Sequence, residues 1–408
     1  MTFYIEGTHA CDVHFEKGLI KNIIEAAKHE ITEYVDLADY IIVVDSCIGS
    51  YKSFLEIMNY LEAVEEYKKS NAKVIVSGCL AKGVNFKLTE EQQKLLDKTT
   101  IVHPDNLAQC ISSLVEYKNT NEFDFEIPIH VQGGELLVSV VQGCLNNCSF
   151  CKKNYMNFDL KSVRKEAVKY LVDMLNESDF PIYYGTLISS NLSLYGVDLY
   201  KERKAHEAIN LFSQINSLKF IQVGALINWY PELINEIISN PKIKTIFTSL
   251  ETGSPRLYEM MNRPISLEDL IKVIKTIKKE RPDIQIDTEF IAGFPTETKD
   301  DIKATLNLIE ELEVYPRFVH SYINSFCIPS ADLPQHSNDY IRCSKKYMDN
   351  KIENIRDMID LELENAEKVV ACYHDDLDVY SLLLKNGAIR NVSAKKLIRK
   401  YNPGDIIK

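Results

Sequence analysis

The chain has 408 residues, a formal charge of −12, 45% hydrophobic residues and 26% charged residues. That length and balance suit two or three ordinary globular domains and argue against broad attraction to a phosphate backbone. The opening stretch carries Glu6 and Asp12 and no run reaches membrane-spanning length, so the sequence points to the cytoplasm and to no membrane partner.

Residues 1–125 read as a first domain. FYIEG, YIIVV and KVIVSG are strand-like, and helical patterns carrying Leu19, Ile20, Ile23 and Ala27, then Leu55, Met58 and Leu61, lie between them. This order of strands and helices predicts a doubly wound parallel sheet, whose ligands gather beyond the carboxyl ends of the strands. Cys11, Cys47 and Cys79 each follow one of the three strands. Convergence at one edge would make them a metal site; the competing reading is three small core residues. Cys110 shares a helical face with Leu107, Ile111 and Leu114 and is assigned to the core. The segment 121–135, with Pro128, Gly133 and Gly134 and no sustained period, reads as a linker.

Residues 130–335 hold six strand-like runs: LLVSVVQ, PIYYGTLIS, LKFIQVGA, IKTIFTSL, IQIDTEFIAG and PRFVHSYIN. A helical pattern follows each of the first five, which predicts a partial (β/α)6 barrel with its site at the carboxyl ends of the strands. After the first strand comes VQGCLNNCSFC, with Cys144, Cys148 and Cys151 spaced CxxxCxxC. Zinc sites usually read as CxxC pairs; this loop suits three thiolates on a four-iron four-sulfur cubane, leaving one iron without a protein ligand. Three thiols of no consequence are the bland alternative. Ser189 to Asn191, Glu251 and Gly293 fall at the ends of the second, fourth and fifth strands, as for a single mouth.

Residues 340–408 read as a helix plus a small β module. The helix, 345–367, buries Met348, Ile352, Ile355 and Ile359, and VVACY, VYSLLL and AIRNV are short strands with a hairpin turn at Asn386 and Gly387. Lys385, Arg390, Lys395, Lys396, Arg399 and Lys400 give this tail a basic surface, by default a solvated face and alternatively a substrate contact.

The CxxxCxxC loop with Phe150 before its last cysteine, LETGS (Leu250 to Ser254) and GFPTET (Gly293 to Thr298) together resemble the radical S-adenosylmethionine enzymes. GTHAC, VVDSC and VSGCLAKG look like degenerate cysteine motifs of the methylthiotransferases within that superfamily, and the resemblance covers about residues 1–335. MNFDLKS, SLYGVD and IPSADLP are closer to the branch that modifies an aspartate of a ribosomal protein than to the transfer RNA branch. Departures occur at Asn157, Val163 and Ser190, and in a C-terminal TRAM-like module that reads as truncated.

The resemblance implies S-adenosylmethionine on a cluster held by Cys144, Cys148 and Cys151, whose one-electron cleavage yields a radical able to abstract hydrogen from an unactivated carbon. It implies a second 4Fe-4S cluster on Cys11, Cys47 and Cys79 that supplies sulfur, and an electron donor such as flavodoxin or ferredoxin. Phe150, Glu251, Ser254, Gly293 and Pro295 would contact the cofactor, Glu251 through ribose hydroxyls. Ser254 reads equally as a helix N-cap, and Gly293 with Pro295 as a tight turn. Arg263 would pair with a carboxylate of cofactor or substrate or else form a surface salt bridge, and Tyr195 and Asp198 would line the substrate entrance or else serve the structure alone. The expected reaction is methylthio insertion into a peptide or protein, including a ribosomally made peptide. The alternatives are a transfer RNA adenosine substrate, which the acidic charge disfavours, another two-cluster radical modification of a peptide, and a non-catalytic iron-sulfur sensor.

Overall fold

The computed structural model describes residues 1–7, 13–45, 51–82, 88–117, 127, 129–132, 135–152, 159–178, 182, 184–325, 328–364, 369–374, 379–384 and 389–393. Cys11, Cys47, Cys327, Pro128, Gly133, Gly134, the Asn386–Gly387 turn, Lys385 and the basic residues after 393 lie outside the described residues. The chain forms two compact units, Met1–His130 and, in the main, Val131–Asn154 with Phe158–Asn324 and Ile328–Lys408.

In the first unit the elements are β1 (Thr2–Gly7), α1 (Val13–Ala26), β2 (Glu30–Ile31), β3 (Tyr40–Asp45), α2 (Tyr51–Tyr67), β4 (Lys73–Val76), α3 (Glu90–Leu96), β5 (Thr100–Ile101) and α4 (Pro104–Leu114). The strands pair in the order β2-β1-β3-β4-β5, all parallel. Ile41, Ile42, Val43 and Val44 are fully buried, as a parallel sheet covered on both faces requires. Ile41 and Val43 meet Phe54, Ile57 and Leu61 of α2 on one face, while Ile42 and Val44 meet Ile20 and Ile24 of α1 and Ile111 of α4 on the other. The sheet is thus doubly wound. Its strand order reverses between β1 and β3, where such sheets leave a crevice.

The second unit opens with β6 (Ile129–Gln132), β7 (Glu135–Val138), β8 (Val141–Gln142), β9 (Lys161–Ser162), α5 (Lys165–Glu177), β10 (Tyr184–Ile188), α6 (Val197–Tyr200), α7 (Ala205–Ser213), β11 (Phe220–Gly224) and α8 (Pro231–Ser239). It continues with β12 (Ile243–Phe247), α9 (Pro255–Met260), α10 (Leu267–Glu280), β13 (Gln285–Ala292), α11 (Lys299–Leu312), β14 (Tyr315–Ser321), α12 (Asn338–Glu364), β15 (Val369–His374), β16 (Val379–Leu384) and β17 (Ile389–Ser393). Strands β7, β10, β11, β12, β13 and β14 are parallel neighbours in that order, so all six predicted barrel strands form one open sheet. Helices α5, α7, α8, α10 and α11 each bury an apolar stripe. In α10, for example, Leu267, Leu270, Ile274 and Ile277 are buried, and Ser266 caps the helix by accepting from the Asp269 N–H.

Two differences from the sequence expectation have local causes. β6 lies inside the segment read as a linker, because a four-residue alternation is too short to stand out beside glycine and proline. Helix α12 begins at Asn338, seven residues before the expected start at 345, since its first turns are polar except for Ile341. The three tail strands form an antiparallel meander in the order β15-β16-β17. Among the described residues no helix is long and apolar enough to cross a membrane.

α12 packs on β13, β14 and α11, burying Met348, Ile352 and Ile355. The Arg356 guanidinium donates from Nε to the Pro316 carbonyl at 2.7 Å and from Nη2 to the Arg317 carbonyl at 2.6 Å. Ile352 is 0% exposed; replacing it by alanine is expected to cost about 2–4 kcal/mol, through lost transfer energy and a residual cavity. The exposed Glu353→Ala control is expected to stay within about 0.5 kcal/mol. Denaturant unfolding followed by circular dichroism checks both.

Candidate active site

The barrel strands deliver their loops to one end, and the cysteine loop follows β8 there. Gly143 turns the chain at φ +77°, and residues 144–152 then wrap round a short bend in which the Cys151 N–H donates to the Cys148 carbonyl at 3.1 Å. Cys148 is buried, whereas Cys144 and Cys151 are half-buried. The loop is pinned to the segment after α9. Ser149 donates through N–H to Met261 O (3.0 Å) and through Oγ to Met260 O (2.8 Å), and Asn262 Nδ2 donates to Asn147 O at 2.8 Å.

Arg263 comes next in that segment and lies at the centre of the site. Its side chain is 3% exposed; Nη2 donates to Ser249 O at 2.9 Å, and Nη1 stands 3.4 Å from both Cys148 Sγ and Glu251 Oε1. The guanidinium also lies 5.8 Å from the centre of the half-buried Phe150 ring. Burial pushes the Cys148 thiol up to about 11, and the Arg263 charge restrains that rise. Burial likewise pushes the Glu251 carboxyl up to about 7 against the pull of Arg263.

Glu251 reaches Arg263 because its backbone takes the left-handed region, φ +64°, which costs a non-glycine residue about 1–3 kcal/mol. Two ladder bonds hold it: its N–H donates to Glu289 O, and its carbonyl accepts from Ile291 N–H, each at 2.9 Å.

Ser254 is the N-cap of α9, accepting from Leu257 N–H while its Oγ donates to Asp301 Oδ1 at 2.5 Å. Asp301 also accepts from Arg256 and Thr298. Gly293 has φ +79°, and a Cβ there would stand 2.9 Å from the Ile341 Cα, so the close approach is to α12. Pro295 is buried in the same turn. Tyr195 is buried, and Asp198 braces β9 by accepting from Ser162 N–H at 2.8 Å.

Asn191 belongs to the strand-end group read from the sequence, whereas Asn228, Ser249, Glu289 and His320 carry no such signal. Asn191 donates from Nδ2 to Cys144 Sγ at 3.4 Å and to Asn228 Oδ1 at 2.7 Å. Ser249 Oγ donates to Glu289 Oε1 at 2.7 Å, and His320 Nε2 lies 3.0 Å from Glu289 Oε2. Burial opposes the Glu289 charge, yet His320 and Ser249 together hold this carboxyl below its ordinary value. Glu289 shares its strand, IQIDTEFIAG, with Gln285, Asp287 and Thr288, so nothing in the sequence sets it apart.

Glu297 is buried in the turn after β13, where its Oε2 accepts from Gly293 N–H at 2.9 Å and from Ser344 Oγ of α12 at 2.6 Å.

In the first unit Cys79 opens a 3₁₀ turn, Cys79–Lys82, directly after β4 and is half-buried. Among the described residues no three His, Cys, Asp or Glu side chains close on a single point, as a mononuclear metal would require. A cubane takes one thiolate per iron and sets its sulfurs wider apart. Three thiols in one short loop, the most buried of them beside a guanidinium that offsets thiolate charge, fit that group.

Comparison with known proteins gives two family matches and several relatives. Residues 138–309 match the Radical SAM superfamily, and residues 4–97 match Uncharacterized protein family UPF0004. The chain is 27% identical to the threonylcarbamoyladenosine tRNA methylthiotransferase MtaB of Aquifex aeolicus, over 78% of each chain. It is 24% identical to the ribosomal protein uS12 methylthiotransferase RimO of Acetivibrio thermocellus, over 83% of this chain and 81% of that one. The fold is similar to that of the radical S-adenosylmethionine methyltransferase TsrM from Kitasatospora setae. The TM-score is 0.54 at 12% identity, covering 81% of this chain and 74% of that one.

Glu297 carries a consequence for pH. Burial raises its carboxyl from 4.5 to about 7. A raised folded-state value means that its stabilising contribution is complete below about pH 4.5 and is lost as pH rises to about 7, roughly 3 kcal/mol at 1.36 per unit. Glu297→Gln is expected to flatten the fall in melting temperature between about pH 5 and pH 8 by several degrees, measured by thermal scans across that range.

Proposed function

We propose, from the premise that the chain belongs to the radical S-adenosylmethionine methylthiotransferase family, that it inserts a methylthio group at an unactivated carbon of a peptide or protein. As a member it is an enzyme of carbon–sulfur bond formation that uses S-adenosylmethionine and two four-iron four-sulfur clusters. Those groups supply the radical and the sulfur when bound, so hydrogen is removed from carbon without a general base.

The protein's own side chains hold and shield that chemistry. Cys144, Cys148 and Cys151 would ligate the radical-generating cluster, and Cys11, Cys47 and Cys79 the auxiliary one. Arg263 offsets the charge of the Cys148 thiolate and, at 3% exposed, excludes water from it. Glu251 and Phe150 would contact the cofactor, whereas Ser254, Gly293 and Pro295 would act by fixing the loops that border it. The observation that carries this reading is the buried contact of Arg263 with Cys148 and Glu251 at the barrel mouth.

The choice of a peptide or protein rests on the net charge of −12, which opposes a polyanionic substrate. A donor such as flavodoxin or ferredoxin in the reducing cytoplasm would supply the electron. A transfer RNA substrate is the second reading. Its support is a groove of about 500 Å³ beside the end of β14, lined by Arg342, Lys345, Lys346 and Asp349 of α12, in which Lys345 is paired with Asp349 at 2.5 Å and Arg342 with Asp339 at 2.9 Å.

Anaerobically reconstituted protein, methyl-labelled S-adenosylmethionine and either candidate peptides or transfer RNA, read by mass spectrometry, separate the two. A labelled methylthio gain on peptide is expected; a salt-sensitive gain on transfer RNA would replace the first reading by the second. Cys47→Ala is expected to abolish methylthiolation while reductive cofactor cleavage persists, and Cys148→Ala to abolish both.

A further inference from the structure

We infer that Asn146, Asn191 and Asn228 form a carboxamide relay that sets the reduction potential of the cluster held by the cysteine loop, with Asn191 acting through the sulfur of Cys144. This rests on the assignment of Cys144 as a cluster ligand.

Asn146 and Asn228 are reciprocally paired: Asn146 Nδ2 donates to Asn228 Oδ1 at 2.9 Å, and Asn228 Nδ2 donates to Asn146 Oδ1 at 3.1 Å. In this head-to-tail pair Asn228 Oδ1 faces Asn191 and takes a donor from it. Asn191 answers with Nδ2 at 2.7 Å, and the same nitrogen donates at 3.4 Å to Cys144 Sγ. The sulfur receives a second donor from the Asn146 backbone N–H at 3.5 Å.

The remaining group of Asn191 shows what this orientation costs. Asn191 is 0% exposed, and its Oδ1 is buried without a hydrogen-bond partner in the structure. An orphaned buried acceptor costs stability, because it loses its water without gaining a partner. Turning the Asn191 amide alone would set oxygen against Asn228 Oδ1 and against the sulfur. In the observed arrangement N–H is aimed at Cys144, and Asn191 Oδ1 is left unpaired among the described residues. Donors to a ligating sulfur stabilise the reduced, more negative cluster and so raise its potential.

The test uses the full chain, reconstituted anaerobically, with the midpoint potential read by electron paramagnetic resonance during a redox titration. Asn191→Ala is expected to retain wild-type iron and to lower the ratio of reduced to oxidised cluster at fixed donor potential about tenfold, equivalent to ~59 mV for one electron. Cofactor cleavage driven by flavodoxin should fall by a similar factor and return to within about twofold of wild type with titanium(III) citrate, a rescue that misfolding would not allow. Asn228→Ala, which removes one acceptor of Asn191, should shift the potential in the same direction by a smaller amount, about threefold in the ratio. An unchanged potential with full iron, or a loss equal with both donors, overturns the inference. Should Asn191→Ala fail to hold iron, the potential of Asn228→Ala decides. Full iron in Cys144→Ala would instead overturn the assignment of the ligand.

Discussion

One buried positive charge organises the mouth of the barrel. Arg263 is removed from water, and its guanidinium is shared among a thiol, a carboxylate, a backbone carbonyl and an aromatic face. Stripping a guanidinium of water costs several kcal/mol, so each partner must be held where it compensates. The left-handed turn at Glu251 and the pinning of Ser149 and Asn147 to the segment before Arg263 are the means. The cysteine loop is thus located by contacts with residues more than 100 positions later in the chain, and its shape follows from that charge.

The fold was largely legible because its signals are local. β-branched runs alternating with amphipathic helices announced both the doubly wound sheet and the barrel strands, and the spacing of Cys144, Cys148 and Cys151 announced a cluster. The site was legible only in its ends. That Arg263 meets Cys148 across 115 residues and Asn146 meets Asn228 across 82 has no periodic trace in sequence. Gly293 shows the same limit. Its left-handed φ was foreseeable from GFP, but that the neighbour is Ile341 of α12 follows only from tertiary packing. Ser254 carries its cap signal openly, and the structure engages the hydroxyl in that cap and with Asp301.

Function and stability meet in the turn after β13. Gly293 admits α12, Glu297 bonds Ser344 of that helix, and the Tyr340 hydroxyl donates to the Glu297 carbonyl at 2.9 Å. The same turn starts α11, which Thr298 and Asp301 cap, and Asp301 also holds Ser254 and Arg256. The loops bordering the mouth are therefore coupled through short polar contacts, and the C-terminal helix is part of that frame.

The sheet of the second unit ends in β14, and an unclosed edge normally invites another strand to add to it. Here Pro316 has no N–H to offer, and the carbonyls of Pro316 and Arg317 are already taken by Arg356. Such an edge is a poor template for self-association, so the barrel can remain open at its side without aggregating through it.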